Sequence, residues 1–439
     1  MRSICGQRED VDRTHRRATN EFLDYVTRLG QKTEVYLKKF VAQPLDPDLA
    51  FVDRQNLSTI RDFWSNLHEF VQPSRDADTL HVPSILIEQF EDFLSKIPAL
   101  RGCRLVMSHT SELNYIQFPR TGLHERAQFY ADIVRGSPRF PRKLALIAMP
   151  YSQDASLFSN LLICHEIGHF AFEELQLEKE LSPQIERSLR KHVNAERLTE
   201  PDLSWCRERL WSWAEEIYCD RFAIGLVGPA FSFSYIELFD VTGVADNEQV
   251  NEFSDTHPSD ACRFHEHAEQ LEHAGWSPLL ERWGKSYAGL IQRLHAMPER
   301  RYVFTSEEKP PLARRVLKAF LEVKPHVERL VKQTFRGHEA RFHGGMQFEC
   351  VETIKSYLSW GVVPATLIRA GEAFKPDPVL LINAAYLFRL EDIATLTERI
   401  QGSRADDILE REKWGKAVEQ WTLKALEDLR LPTRRKPWS

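Results

Sequence analysis

The sequence predicts an α-rich α+β protein. Apolar residues recur at helical spacing through both terminal thirds, and short strand-like runs cluster between residues 101 and 150. At 439 residues the chain also exceeds one ordinary hydrophobic core. The implied organisation is a helical region over 1–100, a mixed core over 101–275 and a second helical region over 276–439.

In the first region, Phe22, Val26 and Leu29 share one helical face, as do Ile60, Phe63, Leu67 and Phe70. A third helix is expected over 84–97, with Leu86, Phe90, Phe93, Leu94 and Ile97 as its stripe and Pro98 ending it. Arg104–Met107 and Leu113–Phe118 read as short strands. The apolar run from Leu144 to Met149, closed by Pro150, reads as a buried strand. A helix starting near Asp154 or Ser156 should then carry Leu157, Leu161, Cys164 and Gly168. Residues 173–203 form a charge-rich excursion with one more helix, followed by a helix over about 204–226 that breaks at Gly228-Pro229. Residues 242–256 read as loop. The next helix follows Ser259 and stops at Gly275, and the rest is again helical, with Lys375-Pro376-Asp377-Pro378 turning between two helices.

Composition narrows the function classes. Hydrophobic residues are 42% and charged residues 28%, values of a globular protein without long disorder. A formal net charge of −6 argues against a nucleic-acid binder, and the basic tail at Arg434, Arg435 and Lys436 is short. The seven cysteines are odd in number and form no C-x-x-C pair, so reduced thiols in a cytoplasmic setting are expected. The N-terminus lacks the apolar stretch of a secretory signal. The longest apolar segment, Phe222–Ile236, is too short and too rich in Gly and Pro to suggest a membrane span.

The chemistry concentrates in His165-Glu166-Ile167-Gly168-His169. Two imidazoles four residues apart on a helix face the same way and can reach one ion. A catalytic zinc takes three protein ligands and leaves one position open to water. Glu166 adjoins the first imidazole and is placed to act as general base toward that water. Gly168, lacking a side chain, permits close packing beside the metal. A third ligand is sought in Trp213-Ala214-Glu215-Glu216-Ile217-Tyr218-Cys219-Asp220. Glu216 and Asp220 share a face, so Glu216 can ligate while Asp220 orients a ligand imidazole. Glu215 competes for the third position, but its partner one turn on is Cys219, a poor orienter. In the bland alternative these acids pair with Arg209 or Arg221 at the surface.

This set, HEIGH followed by E-x-x-x-D, resembles the gluzincin zinc metallopeptidases. The resemblance covers about residues 144–263 and implies a zincin-like core with Zn2+. It makes His165, His169 and Glu216 the ligands, Glu166 the catalytic base and Asp220 the support of a ligand imidazole. Thr256-His257-Pro258-Ser259 with Arg263 is similar to a motif of CAAX-prenyl-protease-like gluzincins, which places His257 near substrate as a donor to the developing oxyanion. Otherwise Pro258-Ser259 merely starts the next helix and His257 is exposed. That family is mostly membrane-embedded, and here this chain departs from it. E-x-x-x-D-x-F-A also resembles soluble peptidases that cleave phage-type repressors.

The expected reaction is zinc-assisted hydrolysis of a peptide or protein substrate, whose backbone a strand edge within 104–118 would hold. Two rival readings use the same residues. One is a zinc-holding regulatory protein without turnover, its helical flanks serving a protein partner; the other is a zinc hydrolase of a non-peptide amide. His265, His267, Glu269 and His273 are read as a polar helix face, and Tyr115, Tyr151 and Tyr218 as structural aromatics. Cys164 and Cys219 are read as buried structural thiols. Nucleotide-binding and nucleophilic-serine motifs are missing from the sequence.

Overall fold

The computed structural model describes residues 2–42, 50–75, 84–110, 116–117, 130, 132–136, 138, 143–150, 156–193, 198–242, 252–254, 256–276, 303–304, 310–336, 344–365, 367–369, 372–391, 393 and 408–430. The fold is helix-rich with small sheets, as the sequence predicts. The chain forms two compact units. One comprises residues 1–155 with 173–175, the other residues 156–172 with 176–439.

The first unit holds α1 (Arg2–Ala42), α2 (Ala50–Arg75), α3 (Ser84–Lys96), β1 (Arg104–Thr110), β2 (Ile116–Gln117) and β3 (Leu144–Pro150). β3 is central, parallel to β1 and antiparallel to β2. Every residue of β3 is buried, which explains its unbroken apolar sequence. Phe22, Tyr25 and Leu29 of α1 and Ile60, Phe63 and Leu67 of α2 join Val106, Leu144 and Leu146 in one core. The Glu91 carboxylate ties α3 to β1, accepting from Leu105 N at 2.9 Å and from Arg104 at 3.0 Å. The side chain of Phe70, residues 113–115 and 118, Asp154 and the basic tail lie outside what is described.

The second unit begins with α4 (Ile163–Glu174), α5 (Leu177–Val193), α6 (Glu200–Val227) and α7 (Pro229–Thr242). β4 (Glu252–Phe253), α8 (Asp260–His273), β5 (Val303–Phe304), α9 (Pro310–Thr334) and α10 (Gly344–Ser359) follow. β6 (Leu367–Arg369), β7 (Glu372–Phe374), α11 (Pro378–Glu391) and α12 (Ile408–Arg430) complete it. α6 is the hub. Every residue from Glu216 to Val227 is buried, and the helix packs against α5, α7, α8 and α9. The covered half is largely apolar, and the charged residues within it, Glu216, Asp220 and Arg221, each meet a partner. α8 ends where predicted. Gly275, at φ 78°, lets Trp276 N–H reach Leu271 O and Gly275 N–H reach Glu272 O, closing the carbonyls of the last turn.

Three local expectations are corrected. α4 does not begin at residue 154 or 156; a 3₁₀ turn over Ser159–Leu162 precedes it. Ser156 Oγ does accept from Ser159 N at 3.3 Å, as a local cap would, and the Glu419 carboxylate of α12 takes the preceding Leu157 N–H at 2.6 Å. α6 starts four residues earlier than read, because Thr199 accepts from Asp202 N and Pro201 suits the first turn. The turn at 375–378 follows the β6–β7 hairpin rather than a helix, and Asp377 Oδ1 then accepts from Val379 N at 2.8 Å.

Asn383 of α11 fixes the break between α6 and α7. Its amide donates to Val227 O and Val379 O and accepts from Ala230 N, beside Gly228 at φ 72°. Asn383→Leu strands a buried N–H and C=O and should cost about 2–4 kcal/mol of unfolding free energy, read from denaturant midpoints.

Candidate metal centre

α4 and α6 meet closely enough to share one ion. A Cβ built on Gly168 would lie 2.7 Å from Cys219 Cα, so only glycine allows this approach. The contact sets His165 and His169, one turn apart on α4, against Glu215, Glu216 and Asp220 on α6. The two imidazole rings are 4.9 Å apart at 82°. His165 Nε2 lies 3.2 Å from Glu216 Oε2, and His169 Nε2 lies 3.4 Å from Glu216 Oε1. One ligand atom each from His165, His169 and Glu216 falls within 4.8 Å of the others, a group that could hold a metal ion.

The opposite ring nitrogens are held in place. His165 Nδ1–H donates to Asp220 Oδ1 at 2.9 Å, and His169 Nδ1–H donates to Glu215 Oε1 at 2.8 Å. Both Nε2 atoms are thereby freed toward Glu216, the arrangement that metal-ligating histidines use. Asp220 is fully buried and is gripped by Arg263, through Nε at 2.7 Å and Nη2 at 2.6 Å. The Arg263 guanidinium also lies over the Tyr235 ring. His267 Nε2 stands 3.2 Å from Asp220 Oδ2, off the hydrogen-bonding line, among Phe231, Tyr235 and Phe264.

The electrostatics call for positive charge. Burial alone would depress His165, yet Glu216 and Asp220 raise it to about 8. Burial likewise opposes the proton on His169, yet its Cys219, Glu215 and Glu216 neighbours raise it well above the usual histidine value. Burial works to raise Glu216, but the two histidines hold it well below the carboxylate range. Glu216 Oε2 is nonetheless buried without a hydrogen-bond partner. With His165 Nε2 at 3.2 Å and Arg263 Nη2 at 3.5 Å but no hydrogen bond, a buried carboxylate oxygen facing the imidazoles fits a cation in that space.

Glu166 is buried on α4, and no hydrogen bond or ion pair engages its carboxylate among the described residues. The side chain of His257 is 43% exposed, with Nε2 3.4 Å from Glu216 Oε1. Its Nδ1 meets Thr256 Oγ1 at 2.7 Å, and Ser254 pins its backbone. Burial lowers its pKa against the pull of Glu216, which favours the neutral ring. Pro258-Ser259 starts the next helix, with Ser259 capping α8, as the second reading of this stretch expected.

Five of the six sequence-selected residues, His165, His169, Glu216, Asp220 and His257, lie at this centre, and Glu166 follows His165 on α4 with its side chain buried. Glu215 orients His169, a role that helical periodicity alone did not suggest. Arg209 and Arg221 do not pair with Glu215 or Glu216: Arg209 stacks on Trp205, and Arg221 binds Glu266. On the α8 face read as polar, His265 and Glu269 are partly exposed and His273 is exposed, Glu269 pairing with Lys324; His267 alone is buried. Tyr218 is structural, its hydroxyl on Thr334; Tyr115 and Tyr151 lie outside the described residues. Cys164 and Cys219 are buried free thiols.

Comparison with family models, curated proteins and solved structures finds no match for this chain.

Behind the centre, Asp260 accepts from Tyr235 O–H at 3.2 Å, and burial raises its carboxyl from 3.8 to about 6 despite Arg263. The folded chain therefore holds this proton more tightly than the unfolded chain. The stability so contributed is full below about 3.8 and is lost as pH rises through about 6. Asp260→Asn should gain stability over wild type across that window and keep the gain at higher pH. Denaturant titrations at pH 4 and pH 8 check this.

Proposed function

We propose that this chain is a zinc-dependent peptidase of the gluzincin type, with a zincin-like core carried by α4 and α6. One observation carries the reading. His165, His169 and Glu216 bring one ligand atom each within 4.8 Å of the others, a buried Glu216 oxygen accepts no hydrogen bond, and one further acid fixes the far side of each imidazole. Two nitrogens and one carboxylate form the donor set of catalytic zinc sites with an open position. When bound, zinc supplies Lewis-acid polarisation of the scissile carbonyl and acidifies the attacking water.

The residues of the chain do the rest. Glu166, unengaged among the described residues, takes the proton from water on its carboxylate and returns it to the departing amine. Asp220 and Glu215 hold the imidazoles in the tautomer that leaves Nε2 free. With Thr256 donating to Nδ1, His257 carries its hydrogen on Nε2, beside Glu216, and donates it to the oxygen that gains charge. The six cysteines whose side chains are described are all free thiols, in keeping with a reducing compartment. Among the described residues no helix is long and apolar enough to cross a membrane.

Purified chain should hold one zinc per molecule by elemental analysis and cleave members of a broad peptide library. Glu166→Gln should retain that zinc and lose cleavage by about 10²–10⁴-fold. Zinc without cleavage in wild type would instead favour a binding protein that lacks turnover, and absence of zinc would end the proposal.

The supporting acids give a second check. Asp220→Asn and Glu215→Gln should each weaken zinc affinity by about 10–100-fold, measured by competition with a chromophoric chelator. Wild-type affinity in both would remove their orienting role.

A further inference from the structure

The outer face of α9 carries positive charge that the rest of the described chain leaves unanswered. The inner face of this helix is buried through Ala313, Val316, Phe320, Val323, Val327 and Leu330. On the opposite face Arg314, Lys318, Leu321, Pro325 and Arg329 are exposed, and helical spacing sets them in one stripe with Arg315 at its edge. No hydrogen bond or ion pair engages Arg314, Arg315 or Lys318 among the described residues. The acids of α9 are taken up elsewhere: Glu322 pairs with Lys191 of α5 at 2.8 Å, and Glu328 with Lys332 at 2.7 Å. Arg329 donates to His326 Nδ1 at 3.0 Å, which leaves its charge in place.

These cations stand where a helix tolerates them least. Arg314 and Lys318 are like charges one turn apart, a spacing that destabilises a helix. Arg314 and Arg315 follow directly on a first turn that carries no acid, at the positive end of the helix dipole. An anion from outside offsets both effects. The whole chain has a formal net charge of −6, so this stripe is not a sample of a generally basic surface.

The stripe also discriminates between kinds of anion. A nucleic-acid backbone presents charge at regular intervals and gains nothing from an apolar gap. Here Leu321, 45% exposed, and Pro325 interrupt the cations between Lys318 and Arg329. A protein segment matches both features, with acids facing the cations and an apolar side chain covering Leu321.

We infer that the outer face of α9 is a docking surface for an acidic segment of a protein partner, one that sets an apolar residue between its acids. This does not depend on the metal centre or on catalysis.

A fluorescein-labelled peptide with Leu-Ala-Leu between runs of Glu tests it on the full chain. Anisotropy is read at low and at physiological salt, and mass spectrometry confirms that the probe stays intact. Binding should be saturable, weaken at the higher salt and weaken several-fold when the peptide's Leu residues become Ser. The double variant Arg314→Glu, Arg315→Glu should bind about tenfold less tightly. It replaces repulsion of Lys318 by attraction, so it should melt no lower than wild type. If that variant fails to fold, Arg314→Gln with Arg315→Gln removes the same charges and should weaken binding several-fold. Leu321→Ser should abolish the preference for Leu over Ser in the peptide. Four results overturn the proposal: no saturable binding of the peptide, tighter binding of a single-stranded DNA of equal length, undiminished binding in the folded double variant, or a Leu-to-Ser preference that Leu321→Ser leaves intact.

Discussion

The second unit depends on one buried carboxylate. Asp220 has no solvent exposure, yet it carries the charge that orients His165 and anchors Arg263. An isolated carboxylate in that position would cost several kcal/mol in lost hydration. It is tolerated because a bidentate guanidinium and an imidazole N–H occupy its lone pairs, and together they hold it well below the usual carboxylate range against burial. The Arg263 charge is as deeply placed and has the same need for Asp220. Each makes the other's burial possible, and the orientation of the first imidazole follows from the pair.

That arrangement requires α4 and α6 to touch, and the contact is made by the smallest residues available. Gly168 meets the α6 backbone at Cys219, between the turns that bear Glu215, Glu216 and Asp220. The lengths of the imidazole and carboxylate side chains then close the remaining gap. A helix flanked by solvent could not keep three acids at fixed heights. α6 can, because the segment from Glu216 to Val227 is covered on every side.

The parts of this centre legible in the sequence are those that local periodicity governs. His165 with His169 and Glu216 with Asp220 are i, i+4 pairs, and a helix alone puts each pair on one face. Gly168 was legible as a site of close packing. Glu215 was not, because its role depends on how α4 lies across α6, and no spacing within one helix encodes that crossing. His267 was read as polar because a titratable residue belongs inside only when a partner meets it, and that partner is Asp220 on α6. The start of α4 was misplaced because Ser156 caps a 3₁₀ turn over Ser159–Leu162 that leads into it, and spacing alone does not separate such a turn from the α-helix it precedes. The β6–β7 hairpin was missed because three-residue strands carry too little periodicity to separate from helix.

The buried charges between α6 and α8 suggest why so polar an interface persists. Asp220 and Arg221 are adjacent and opposite in sign. Their partners Arg263 and Glu266 are three apart on α8 and reversed in order. Lys324 of α9 completes the set by binding Glu266 and Glu269. Apolar residues of equal volume would hold the helices together as well or better, because buried ion pairs recover little beyond their desolvation cost. Apolar packing would also tolerate sliding. Here a shift of α8 along α6 by about a turn would bring Arg263 toward Arg221 or Glu266 toward Asp220, like charge against like, in a medium that screens poorly. Only one register satisfies all four groups, and it is the register that holds the Asp220 carboxylate against His165. Helix alignment and the orientation of His165 are therefore set by the same interaction, and the polar interface makes the geometry of the centre single-valued rather than merely stable.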